Sequence, residues 1–192
     1  MTSVEAKSYL LNYLLYKMRH HCAVTEYGRE GLVGNADVFS LTNADYSNEF
    51  EIKVNRGDLL SELNTIRYIK NPPAVYDPQE DPIRQRTPST NKLGKHSLYL
   101  SNLGLLDIVS VPNKFYFAVP KELVELAIQR TQGTPYGVVK ISDKWFEVNI
   151  EKPAEYLHKK KVEERIKRFL LRKTSVENAN LREKLLKTLS PH

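Results

Sequence analysis

Asp37, Glu51 and Lys53 have the types and spacing for metal-assisted phosphodiester chemistry. Residues 49–54, Glu-Phe-Glu-Ile-Lys-Val, alternate polar and apolar, the period of a half-buried strand. Residues two apart in a strand point the same way, so Glu49, Glu51 and Lys53 share one face and Phe50, Ile52 and Val54 the other. Alone, a Glu-x-Lys triplet is common on solvated strands, where it forms cross-strand ion pairs. Asp37 changes its meaning. It lies between Ala36 and Val38 in the preceding apolar run, and pairing of residues 36–41 with 48–54 brings it towards Glu51. Two carboxylates so close repel, and a divalent cation relieves the repulsion. Hard oxygen ligands with water positions left open suit Mg²⁺ or Mn²⁺. Such an ion polarises a phosphoryl oxygen and acidifies a bound water. Lys53 is then placed to orient that water or to stabilise charge in the transition state.

The elements that must position these residues are legible in the hydropathy pattern. Residues 3–18 read as a helix with Val4, Leu10, Leu11, Tyr13, Leu14 and Leu15 on its apolar face and Thr2 or Ser3 as cap. Residues 21–27 read as a strand ended by Gly28, residues 31–34 as a turn and residues 36–41 as a second strand. A turn at Asn43-Ala44-Asp45 leads into the strand at 49–54. Residues 58–69 return to helical spacing through Leu59, Leu60, Leu63 and Ile66, with Asp58 as candidate N-cap. Five prolines interrupt the polar stretch 71–94, which reads as an extended insertion. A helical piece is expected near 95–103, a buried strand at 114–119 and a helix at 122–130. Two short strands, 136–142 and 144–149, meet at Asp143. Residues 154–189 read as helical, with Asn178-Ala-Asn180 as a point of division. This order implies an α/β fold, a mixed sheet covered by helices on both faces.

The 192 residues suit one domain with a tail, here a domain over 1–150 and a basic helical extension over 151–192. The net charge of +6 is confined to the tail, because residues 1–150 carry equal numbers of acidic and basic side chains. Such an excess attracts phosphate backbones or anionic lipid, and a solvated helix face gives the same composition. One cysteine, Cys22, excludes an intrachain disulfide and a Cys-rich zinc site, as suits a reducing cytoplasm. No apolar run is long enough for a membrane span, and no secretory signal is read at the N-terminus.

The ordered blocks carry a family resemblance. Gly31-x-x-Gly34-Asn-Ala-Asp37, then Glu51-Ile-Lys53-Val-Asn-Arg56-Gly-Asp58, then Lys95-His96-x-x-Tyr99, then Pro112 to Pro120 resemble the PD-(D/E)XK nuclease superfamily. Within it they are similar to MmcB-like DNA repair proteins and related small phage and bacterial nucleases, over roughly residues 1–150. The resemblance implies a restriction-endonuclease-like three-layer α/β/α fold with a central mixed β-sheet, here followed by C-terminal helices. It implies Mg²⁺-dependent hydrolysis of nucleic acid, with Asp37, Glu51 and the Ile52 carbonyl as metal ligands and Lys53 as catalytic lysine. Glu26 is the candidate assisting acid, with Glu5 behind it. The insertion at 71–94 departs from the family pattern.

The further nucleic-acid contacts expected are Arg56, Lys95 and His96, and in the tail Lys159, Lys160, Lys161, Arg165 and Arg168. The Ile166 and Phe169 side of the tail reads as a docking face, on the domain or on a second copy as a homodimer. The expected activity is that of a DNA endonuclease in the cytoplasm of a bacterium or phage-infected cell. The alternative is a nucleic-acid-binding or repair accessory protein of the same fold that does not cleave.

Overall fold

The computed structural model describes residues 1–28, 35–70, 90–101, 111–142 and 147–189. The turn expected at 31–34, the proline-rich stretch up to 89 and the turn at Asp143 lie outside the described residues. Thr2 caps helix α1 (Ser3–Asn12), accepting from the Glu5 N–H while the Glu5 carboxylate accepts from the Thr2 N–H. Glu5 is therefore engaged in the cap at the helix start. The helix continues as a π-helical turn, Tyr13–Lys17. Its buried side is Ala6, Leu10 and Leu14, whereas Val4 is exposed.

Strands β1 (Cys22–Tyr27), β2 (Ala36–Leu41) and β3 (Ser47–Ile52) form an antiparallel meander. Helices α2 (Arg56–Lys70) and α3 (Thr90–Ser101) carry the chain to β4 (Lys114–Pro120), parallel to β3. A 3₁₀ turn (Lys121–Leu123) and α4 (Val124–Arg130) lead to β5 (Gly137–Ile141), parallel to β4. Strand β6 (Val148–Lys152) closes the sheet antiparallel to β5, giving the order β1-β2-β3-β4-β5-β6. A stretch without regular secondary structure, bent at Leu157, then leads to α5 (Glu164–Leu189).

This is a three-layer α/β/α arrangement around a mixed sheet. Alternation divides the core. Phe50, Ile52, Tyr116 and Ala118 face α1, and Phe115, Phe117 and Val119 face Leu59, Leu63 and Ile66 of α2, Tyr99 of α3 and Ala127 of α4. Cys22, Val24, Phe39 and Leu41 pack on Ile166 and Leu170, so α5 lies on the same side of the sheet as α2 and α3. Residue 150 falls within β6, and α5 shares a core with β1 and β2. Among the described residues no helix is long and apolar enough to cross a membrane.

Candidate active site

Three residues separate the end of strand β3 from the start of α2. Asn55 supplies the cap expected of Asp58: its Oδ1 accepts the Asp58 N–H at 2.8 Å, because the helix starts two residues before Asp58. Lys53 follows the last residue of β3, and its N–H still donates to the Ala118 carbonyl at 3.0 Å. The ladder thus fixes the Lys53 backbone although the strand proper has ended.

Val38 pairs with Phe50, and one further step along the antiparallel register sets Asp37 opposite Glu51. Asp37 Oδ2 accepts the Ile52 N–H at 2.8 Å, which ties its carboxylate to β3. Lys53 Nζ donates to Glu51 Oε1 at 2.8 Å, and the Asp37 charge also favours the Lys53 ammonium. Asp37, Glu51 and Lys53 are brought together as the sequence predicts.

Several partners were not legible in the sequence. Lys7 of α1 lies 3.2 Å from Asp37 Oδ1 and also bonds Glu26. Glu62 of α2 lies 3.5 Å from Lys53 Nζ. Lys95 of α3 sits between Glu49 Oε1 at 2.5 Å and Glu51 Oε2 at 2.8 Å. Tyr99 donates to Glu49 Oε2 at 2.6 Å. Five carboxylates, Glu26, Asp37, Glu49, Glu51 and Glu62, therefore share the ammonium groups of Lys7, Lys53 and Lys95.

The protonation states follow from this crowding. Burial alone would push the Glu51 carboxyl up, but Lys95 and Lys53 outweigh it and hold the group below its ordinary value. Burial disfavours the Lys53 ammonium, and Glu51, Glu62 and Asp37 reverse that, raising its pKa. Lys95 behaves alike between Glu49 and Glu51. Burial and then the Glu49 charge push the Tyr99 hydroxyl far up, so it stays a donor. Phe115, Phe117 and Tyr136 form the floor, with Lys95 over the Phe115 ring at 5.2 Å.

The remaining expected residues divide. Arg56 is exposed at the first position of α2, three residues past Lys53. Glu26 reaches the cluster through Lys7. Lys95 and His96 do not lie on a nucleic-acid surface. Lys95 is a buried partner of the acids, and His96 is fully buried, with Nε2 2.7 Å from Glu62 Oε1 and Nδ1 3.0 Å from the Tyr136 hydroxyl. Lys159, Lys160 and Lys161 are exposed, as are Arg165 and Arg168, but the three lysines precede α5 and belong to no helix. Helix α5 runs unbroken through Asn178 and Asn180. Ile166 is buried within its own fold, while Phe169 is exposed and touches Tyr27 edge-on.

Among the described residues no three His, Cys, Asp or Glu side chains converge as a ligand set. The donors of the right type are the Asp37 and Glu51 carboxylates and the Ile52 carbonyl, and each oxygen of the two carboxylates already has a partner. That set fits Mg²⁺, which takes one or two carboxylates and keeps several waters. Both acids already hold positive charge through Lys7, Lys53 and Lys95, the sign of charge that a cation would supply.

No known family matches the chain, and no curated protein does. Among solved structures it is similar to a protein of unknown function from Silicibacter pomeroyi, with a TM-score of 0.53 and 12% identity over 100% of this chain and 97% of that one. At that identity the likeness shows the fold alone.

Proposed function

We propose that the protein is a divalent-cation-dependent nuclease of the PD-(D/E)XK kind, acting on DNA in a bacterial or phage-infected cytoplasm. The observation that carries this reading is the meeting of Asp37, Glu51 and Lys53 at one end of the β2–β3 pair. Pure binding needs no such acid pair. Asp37, Glu51 and the Ile52 carbonyl would hold Mg²⁺ or Mn²⁺, which when bound supplies Lewis-acid polarisation and an acidified water. The chain's own residues do the rest. Lys53 keeps its proton, so it acts as a fixed positive charge that stabilises the developing phosphoryl negative charge or orients the water, and not as a base. Glu51 is held ionised and aimed by two lysines. Arg56 at the mouth is placed to hold a flanking phosphate, and the aromatic floor excludes water from beneath. Exposed Phe169 and Val176, seven residues apart and so on one face of α5, are the surface through which a homodimer would form.

The non-cleaving repair or binding protein is favoured by one observation: both Glu51 oxygens already carry a lysine partner. Incubation with plasmid and single-stranded DNA in Mg²⁺, Mn²⁺ or EDTA separates the two. The nuclease reading expects cleavage in Mg²⁺ or Mn²⁺ and none in EDTA, with Asp37→Ala and Lys53→Ala slower by at least about a hundredfold. Equal rates in wild type and variants would sink the assigned site. DNA retention without cleavage under every condition selects the second reading.

A further inference from the structure

Asp37 is shared between the sheet and α1. One oxygen accepts the Ile52 N–H, and the other lies 3.2 Å from Lys7 Nζ. The other carboxylate on Lys7 belongs to Glu26, whose side chain is 62% exposed. Glu26 has φ of 46°, a left-handed conformation that an L side chain adopts at a cost. Its carbonyl accepts from Lys173 Nζ of α5 at 2.6 Å. Two helices distant in sequence thus meet at Glu26, one of the two carboxylates on Lys7.

We propose that Lys7 is an exchangeable cation: it competes with the divalent ion for Asp37 Oδ1 and, once displaced, turns to a substrate phosphate. This rests on the nuclease reading. An ammonium and a dication cannot both press on one carboxylate oxygen without repulsion, so one group must yield. The three lysines differ in freedom. Lys53 and Lys95 are each lodged between two largely buried carboxylates. Lys7 reaches in from a surface helix, and one of its two partners is solvated. Lys7 is the one that yields, and its long stem lets the charge travel to a nearby anion.

The test is Mn²⁺ titration by calorimetry without DNA, beside steady-state cleavage, for wild type, Asp37→Ala, Lys7→Met, Lys7→Gln, Lys7→Arg and Glu26→Gln. Wild type is expected to bind Mn²⁺ and Asp37→Ala to lose it. Lys7→Met and Lys7→Gln should bind Mn²⁺ several-fold tighter while KM for DNA rises and kcat holds, and Lys7→Arg should restore KM. Glu26→Gln, which removes the negative charge that competes with Asp37 for Lys7, should weaken Mn²⁺ binding. A merely structural lysine would weaken both functions together. Folded Lys7→Met or Lys7→Gln with unchanged or weaker Mn²⁺ binding overturns the exchange and leaves the nuclease reading standing. If Lys7→Met and Lys7→Gln do not fold, unchanged Mn²⁺ binding in Glu26→Gln overturns it. Absence of Mn²⁺ binding in wild type overturns both.

Discussion

Lys95 is the most consequential single side chain beneath the site. It and Glu49 are almost fully buried, so removing the ammonium leaves the Glu49 charge to the Tyr99 hydroxyl alone in a low-dielectric floor, while Glu51 keeps Lys53. Lys95→Met is expected to cost about 3–5 kcal/mol in urea denaturation, with much of it recovered in Lys95→Met/Glu49→Gln, which no longer buries that charge. A loss that the double variant does not relieve would make the effect one of packing. Glu51 gives a pH signature with a definite sign. Its folded pKa lies below the unfolded one, so its contribution is complete above the ordinary carboxylate value and disappears as pH falls through the folded value. Below about pH 4 the wild type should lose stability more steeply than Glu51→Gln, in denaturation curves recorded across the acid range. Cys22 is buried, and burial pushes its thiol up to about 11. It should resist a disulfide reagent at about pH 8 until urea unfolds the chain. At this scale the sequence was legible where chemistry sits close together. Glu51 and Lys53 are two residues apart, and Asp37 lies in the adjoining strand. Lys7 was not legible, because its contact with Asp37 exists only once α1 crosses the sheet. Glu62 left a signal: it stands three residues after Leu59 and four before Ile66, an acid on the apolar stripe of α2.

Elements were readable where one period dominates. The strands at 36–41 and 114–119 stand almost as their alternation and burial pattern require. Boundaries slipped where two signals compete. Asn55 and Asp58 both suit a cap, and the structure uses Asn55 Oδ1 for the Asp58 N–H while Asn55 Nδ2 donates back to Asp58 Oδ2 at 2.5 Å. Asn55→Ala is expected to cost about 1 kcal/mol and Asp58→Ala less, by thermal denaturation. The reverse order would assign the cap to Asp58. Residues 153–163 do not join a helix. Asn113 instead holds them outside any helix or strand, donating to the His158 and Lys160 carbonyls at 3.0 and 2.7 Å. Those bonds span more than forty residues, so local propensity could not report them. Continuity of α5 through Asn178 and Asn180 has a plain cause. Asparagine is a poor helix former but not a breaker, and Ile166 and Leu170 anchor the helix on β1 and β2.

The whole molecule has two poles, and they divide the basic residues. Glu51, Lys53 and the start of β2 lie at one end of the sheet. Asp45, Ser47 and Asn113 lie at the other, where the Val162 N–H donates to the Asp45 carbonyl and Asn113 holds the Lys160 carbonyl. Lys159, Lys160 and Lys161 therefore sit at the pole away from the acids, about 15–20 Å from Glu51 at the rise of a strand. Helix α5 returns towards the acids, where Lys173 reaches Glu26. No sequence pattern reveals this, because it depends on which way the last helix crosses the sheet. On the nuclease reading, a nucleic acid gripped by both poles runs beyond the cleavage point by about five base pairs. Reversing Lys159, Lys160 and Lys161 to Glu should then weaken binding of a long duplex and reduce its log–log salt slope by roughly 2–3. Cleavage at saturating DNA should keep its rate, since these lysines touch none of the reacting atoms. A very short duplex, unable to reach the far pole, should bind wild type and the triple variant alike. If the variant instead slows cleavage at saturation, the basic run and the acid cluster act on one phosphate group, and the two-pole separation fails.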